Sequence, residues 1–68
     1  MFIKFDGRLI NTNAISEVYA VQQNDQYKIM LFRLDGSYLT SESFSVASKA
    51  ANRFDELTNI LIETQEEK

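Results

Sequence analysis

Asp6 and Asp35 are the first residues whose type suggests chemistry, since paired carboxylates can divide acid–base work or share a cation. Each directly precedes a glycine, as Asp6-Gly7 and Asp35-Gly36. Asp before Gly is favoured in hairpins for backbone reasons alone, because Gly accepts the positive φ that primed turns require. Both are therefore read as turn residues. Asn24-Asp25-Gln26 lacks the alternating oxygen ligands and distal Glu of a calcium loop, and is read as a polar hairpin tip. Ser37, Ser41, Ser43, Ser45 and Ser48 offer hydroxyls, but the chain has no His to activate one. Neither G-x-S-x-G nor S-x-x-K occurs, and Ser45-x-x-x-Lys49 has the wrong spacing for the latter. Tyr19, Tyr27 and Tyr38 fall on three candidate strands. A row of Tyr on one sheet face makes a recognition surface, packs across strands, or stacks single-stranded nucleic acid.

The elements that position these residues follow from the hydrophobic pattern. Phe2-Ile3-Lys4-Phe5 and Arg8-Leu9-Ile10 read as short strands joined at Asp6-Gly7. Asn11-Thr12-Asn13 is polar punctuation, and Ile15 and Val18 stand three apart, as in a single helical turn. Glu17 to Gln22 reads as a strand, Gln23 to Gln26 as a turn, and Tyr27 to Leu34 as the clearest strand. Both faces of that strand, Tyr27/Ile29/Leu31/Arg33 and Lys28/Met30/Phe32/Leu34, carry apolar residues, so it is expected to be central. Ser37 to Phe44 is rich in Ser and Thr and reads as an edge. Ala47, Ala50, Phe54, Leu57 and Leu61 then recur at helical spacing, with Ser45 in position to cap the helix. The assembled expectation is an α+β fold, ββββα: a four-stranded antiparallel sheet of two hairpins, packed by one C-terminal helix. Residues 1–64 form the single domain, and 65–68 a polar tail expected to fray.

Composition narrows the function classes. A chain of 68 residues forms one small domain and buries only about 60% of its unfolded surface. With no Cys it has no disulfides, thiolate nucleophile or thiolate metal site; with no His it lacks the usual general base near neutral pH. Catalytic, cofactor-binding and metal residues are accordingly all read as none. Ten acidic and seven basic residues give a net charge of −3, and Lys4, Arg8, Lys28, Arg33, Lys49, Arg53 and Lys68 are scattered singly. Nucleic-acid binding normally uses a basic stripe, so it is disfavoured. The longest apolar run, Ile29-Met30-Leu31-Phe32, is strand-sized, and no secretory leader pattern follows Met1, so a cytoplasmic chain is expected.

A helix covers one sheet face, while Tyr27, Ile29 and Leu31 with Tyr19 and Val21 are expected to supply a second apolar face. Ile60 and Ile62 also lie off the helix stripe. Apolar patches of this kind mark interfaces, and the simplest remedy is a two-fold dimer. The interface candidates are Tyr19, Val21, Tyr27, Ile29, Leu31, Tyr38, Ile60 and Ile62. The expected function is a small non-enzymatic protein-interaction module that self-associates through this face or docks a protein partner. The alternatives are a phage- or mobile-element-encoded inhibitor of a host protein and a single-stranded nucleic-acid binder using the tyrosines.

The opening strand with its Phe5-Asp6-Gly7-Arg8 turn, the segment Ile10-Asn11-Thr12-Asn13-Ala14-Ile15, the turn at Leu34-Asp35-Gly36 and the helix from Ser45 together resemble FlbD-type small flagellar proteins. Small uncharacterised bacterial and phage proteins share the outline. The resemblance covers most of the chain and implies the same order of elements; no functional residue is carried over.

Overall fold

Three tight turns divide the N-terminal two thirds of the chain. In the computed structural model, which describes residues 1–66, β1 (Phe2–Phe5) and β2 (Arg8–Asn11) pair antiparallel across Asp6-Gly7. Both turn residues have positive φ, 52° and 69°, as a primed two-residue turn demands. A single 3₁₀ turn, Thr12–Ala14, leads into β3 (Ile15–Gln23). β3 pairs with β4 (Gln26–Arg33) across Asn24-Asp25, again both at positive φ, so a primed turn forms here without glycine. The third connection is longer. Gly36 N donates to Arg33 O at 2.9 Å and Arg33 N to Ser37 O at 2.8 Å, with Gly36 at φ +87°, before β5 (Tyr38–Phe44) pairs with β4. The helix α1 spans Ala47–Glu66. Its first bond runs from Ala50 N to Val46 O, 3.3 Å, which moves the cap position from Ser45 to Val46.

The architecture is α+β with antiparallel pairing throughout, but in place of the expected single four-stranded sheet there are five strands in two sheets. All five extended segments form strands, in a two-stranded sheet β1-β2 and a three-stranded sheet β3-β4-β5. The break has a local cause at the end of β2. Asn11 Oδ1 accepts from Asn13 N at 3.0 Å, capping the 3₁₀ turn, while Thr12 donates both its N–H and its hydroxyl to Met1 O, at 2.9 and 3.0 Å. These bonds close the hairpin at Asn11 and turn the chain away before β3 begins. The helix continues two residues into the segment expected to fray, and the same expectation for residues 67–68 lies outside the described residues.

The hairpin and the helix share one side of the three-stranded sheet. Ile3, Phe5 and Ile10 from the hairpin, Ile15, Ile29 and Leu31 from the sheet and Leu57 from the helix form one buried cluster. Phe54 and Leu61 of the helix stripe pack against it and Ala50 is buried, whereas Ala47 is exposed. A bulge in β5, where Tyr38 and Leu39 together oppose Phe32, directs Leu39 to this cluster as well.

Arg53 joins the three parts. Its Nε donates to Glu42 Oε1 of β5 at 3.0 Å, Nη1 pairs with Glu56, Nη2 donates to Lys4 O, and the guanidinium carbon lies 5.4 Å from the centre of the Phe5 ring. Glu42 Oε2 accepts from Asp6 N at 2.8 Å, and Asp6 Oδ2 accepts from the buried Thr40 hydroxyl at 2.6 Å. Partial burial alone would ease loss of the Arg53 proton, but Glu42 and Glu56 outweigh it and raise the pKa above the usual arginine value. Arg53→Met is expected to cost about 1–3 kcal/mol, since it strands the acceptors at Glu42 and Lys4. In a domain this small, each kcal/mol lowers Tm by roughly 4–8 °C in thermal unfolding. Adding Glu42→Gln to that background should cost less than Glu42→Gln alone, because the two residues act as one unit.

Candidate interaction surface

Register decides which side chains face away from the helix. Ile29 and Leu31 are fully buried beneath α1, and strand alternation places Lys28, Met30 and Phe32 on the other face. Cross-strand partners extend this face into three rows: Glu17–Phe32–Tyr38, Tyr19–Met30–Ser41 and Val21–Lys28–Ser43. Tyr19 is 51% and Tyr38 50% exposed, while Val21, Met30 and Phe32 are half-buried. Phe32 and Tyr38 meet edge to face, with ring centroids 6.2 Å apart at 70°. The Tyr38 hydroxyl donates to Ser41 Oγ at 2.9 Å, and Arg33 Nη1 donates to Tyr38 O at 2.8 Å, anchoring this corner of the sheet.

The interface candidates separate accordingly. Tyr19, Val21 and Tyr38 lie on the open face. Ile29 and Leu31 do not: they are core residues at zero exposure, which corrects their assignment to a second apolar face. Tyr27 shares their side of β4 and is half-buried beside the helix, so the three tyrosines do not form one row. The open face is completed by Met30 and Phe32, which sequence reasoning assigned to the covered side. The signal was present in the turn. A two-residue turn at Asn24-Asp25 sets Tyr19 opposite Met30, and hence on the face of Met30 rather than of Ile29. Ile60 is half-buried against the core, whereas Ile62 is 50% exposed. Phe2 and Leu9, 61% and 72% exposed on the outer face of the first hairpin, were not anticipated as surface residues.

Two grooves run between α1 and β3. The larger, about 340 Å³, is lined by Ala20 and Gln22 of β3, Tyr27 of β4, and Ala47, Ala51 and Phe54 of the helix. The smaller, about 180 Å³, lies at the other end of β3 between Ser16, Val18, Leu61 and Ile62. Both border the free side of β3, which is an edge strand; the other edge, β5, carries the Glu42 and Thr40 bonds to the first hairpin.

Titratable groups gather little. Among the described residues, no three or more Asp and Glu side chains form a group able to hold a metal ion, and no helix is long and apolar enough to cross a membrane. Asp6 and Asp35 both stand in turns, as their sequence context implied: Asp6 takes φ 52° in the first turn while its carboxylate accepts from Thr40 of β5, and Asp35 Oδ1 accepts from Ser37 N at 2.8 Å within its own turn. No family model, curated protein or solved structure matches the chain.

Ser37, through its hydroxyl first and its backbone N–H second, holds the Asp35 carboxyl below the usual aspartate range, and Arg33 adds a smaller pull. A carboxyl whose folded pKa is depressed contributes stability above its unfolded pKa, about 3.9, and loses it as pH falls through the folded value. The stability difference between wild type and Asp35→Asn is therefore expected to be constant from neutrality to about pH 5 and to shrink below about pH 4. Thermal unfolding of both proteins along a pH series measures it; a difference unchanged down to the acid limit would contradict the assignment.

Proposed function

We propose that this chain is a non-enzymatic protein-interaction module that self-associates, with the open face of the three-stranded sheet as its contact surface. The observation that carries this reading is the composition of that face: Tyr19, Val21, Met30, Phe32 and Tyr38 stand on the side of the sheet that the helix leaves uncovered. Antiparallel sheets commonly turn one face to water, and such a face is normally polar. Here five aromatic and aliphatic groups stand among Glu17, Lys28, Ser41 and Ser43, with the Gln23–Gln26 pair closing the face at the turn. Tyr and Met are enriched where protein surfaces meet, because they bring contact area with little conformational cost or with adaptable shape. A two-fold contact is the simplest way for one such surface to be covered by a copy of itself.

The tyrosine-stacking alternative loses its support, since Tyr27 lies on the helix side. The proposal is tested by sedimentation velocity over a wide dilution series. Wild type is expected to shift from dimer to monomer on dilution, and its Tm to fall with concentration. Tyr19→Asp, which places a charge at the centre of β3 on the open face, should be monomeric throughout with its helix and sheet content intact. A wild type that stays monomeric at the highest concentration would refute self-association.

A further inference from the structure

We infer that two copies join edge to edge along β3, antiparallel about a two-fold axis at Tyr19, so that their sheets merge into one of six strands. This inference rests on the self-association proposed above but places the seam at the β3 edge, where the open faces of the two copies join into one surface and are not buried against each other. Its first support is the state of the two sheet edges. Both β3 and β5 end the sheet; the first hairpin packs beside β5, bonding the Glu42 and Thr40 side chains on its helix side, whereas β3 has no such neighbour among the described residues. β3 is also the longest strand, nine residues, with no proline and with Glu17 as its one charge. An unshielded edge of that length is a template for another strand.

The second support is hydrogen-bond phase. The two-residue turn closes on Gln23 and Gln26 as a hydrogen-bonded pair, and the alternation of an antiparallel ladder then directs Glu17, Tyr19 and Val21 toward β4. Val18, Ala20 and Gln22 direct their N–H and C=O groups outward. A two-fold axis at Tyr19, the middle residue of Ile15–Gln23, aligns Glu17–Val21 of both strands, short of the bulge between Ile15 and Glu17, and sets Val18 opposite the second copy's Ala20, outward group against outward group.

This register also matches side chains. On the open face Glu17 lies opposite the second copy's Val21, whose neighbour in the same row is Lys28. Strands about 4.8 Å apart put Glu17 and that Lys28 about 10 Å apart at the backbone, a gap their extended side chains bridge over the short valine. No like charges face each other. On the helix side, the antiparallel order brings the Val18 end of one β3 against the Ala20–Gln22 end of the other. Ile62, half-exposed at the first end, is thereby opposite the alanine-lined groove of about 340 Å³ at the second. Symmetry repeats both matches. A stable dimer buries at least about 1,200 Å² in total. A strand edge is a narrow strip, and the two isoleucine–groove contacts are what widen it.

Ala20→Pro removes an outward N–H and leaves the β4 ladder complete, a change that edge strands accommodate. Tyr38→Asp charges the open face two strands away from the seam. In sedimentation, Ala20→Pro is expected to lose the dimer and Tyr38→Asp to keep it. The opposite pattern would mean that the sheets stack face to face, overturning the edge contact while leaving self-association standing; a monomeric wild type would overturn both. Hydrogen exchange on the unmodified protein tests the same geometry without a variant. The amides of Val18, Ala20 and Gln22 should be protected in concentrated samples and lose that protection on dilution. Fast exchange of all three while the protein is dimeric would refute the pairing.

Discussion

A single guanidinium ties together parts of the chain that have no backbone pairing with one another. Arg53 leaves the helix, crosses the Phe5 ring and meets Glu42 on β5 and the Lys4 carbonyl on β1. Glu42 in turn accepts from the Asp6 N–H at the hairpin turn. Without this relay the first hairpin would be held by the apolar contacts of Ile3, Phe5 and Ile10 and the Thr40–Asp6 hydrogen bond, and hydrophobic contact is non-directional. The planar guanidinium supplies direction, because its donors leave at fixed angles toward partners on three elements. A domain of this size has little core to spare, so partly desolvated polar links do more to select one packing than they would in a larger protein.

The relay also explains why the two edges of the larger sheet differ. Glu42 and Thr40 point to the helix side of β5, where the hairpin sits, and their bonds to Asp6 hold it there. Had the hairpin joined the sheet as a fourth and fifth strand, one open edge would merely have moved outward. Packed as a separate layer it occupies the helix side near β5 and leaves β3 at the free end. The exposed aromatic face and the free edge are therefore consequences of one arrangement. Helix and hairpin both crowd onto one face, and nothing in the described chain is left to cover the other.

Much of this was legible in the residues, and the failures have physical causes. The helix announced itself through Ala50, Phe54, Leu57 and Leu61, because apolar residues at a 3.6-residue period would scatter over both faces of a strand and line up only on a helix. The Asp-Gly turns were equally plain. The division of the sheet was not, since it depends on Asn11 and Thr12 closing the hairpin through the Met1 carbonyl, a contact eleven residues apart in sequence. The covered face of β4 was misread for a different reason. With Ile29 and Leu31 on one side and Met30 and Phe32 on the other, hydrophobicity is nearly balanced, and alternation cannot rank the faces. What ranks them is the company each keeps on β3: Val18 and Ala20 are small enough to lie under a helix, whereas Tyr19 and Glu17 are not.

That asymmetry bears on how an interaction surface arises in so short a chain. The helix side takes Val18 and Ala20 of β3, so Glu17 and Tyr19 fall on the open face by the two-residue period. Covering that face internally would need a second helix or another layer of strands. β3 carries Tyr19 at its midpoint, with the charged Glu17 and the aliphatic Val21 at equal distances on either side. That asymmetry lets the strand oppose its own copy antiparallel with Glu17 against Val21, without like charges meeting. Phe32 on β4 and Tyr38 on β5, one and two strands from such a seam, would then lie toward the flanks of a surface larger than either copy provides by itself.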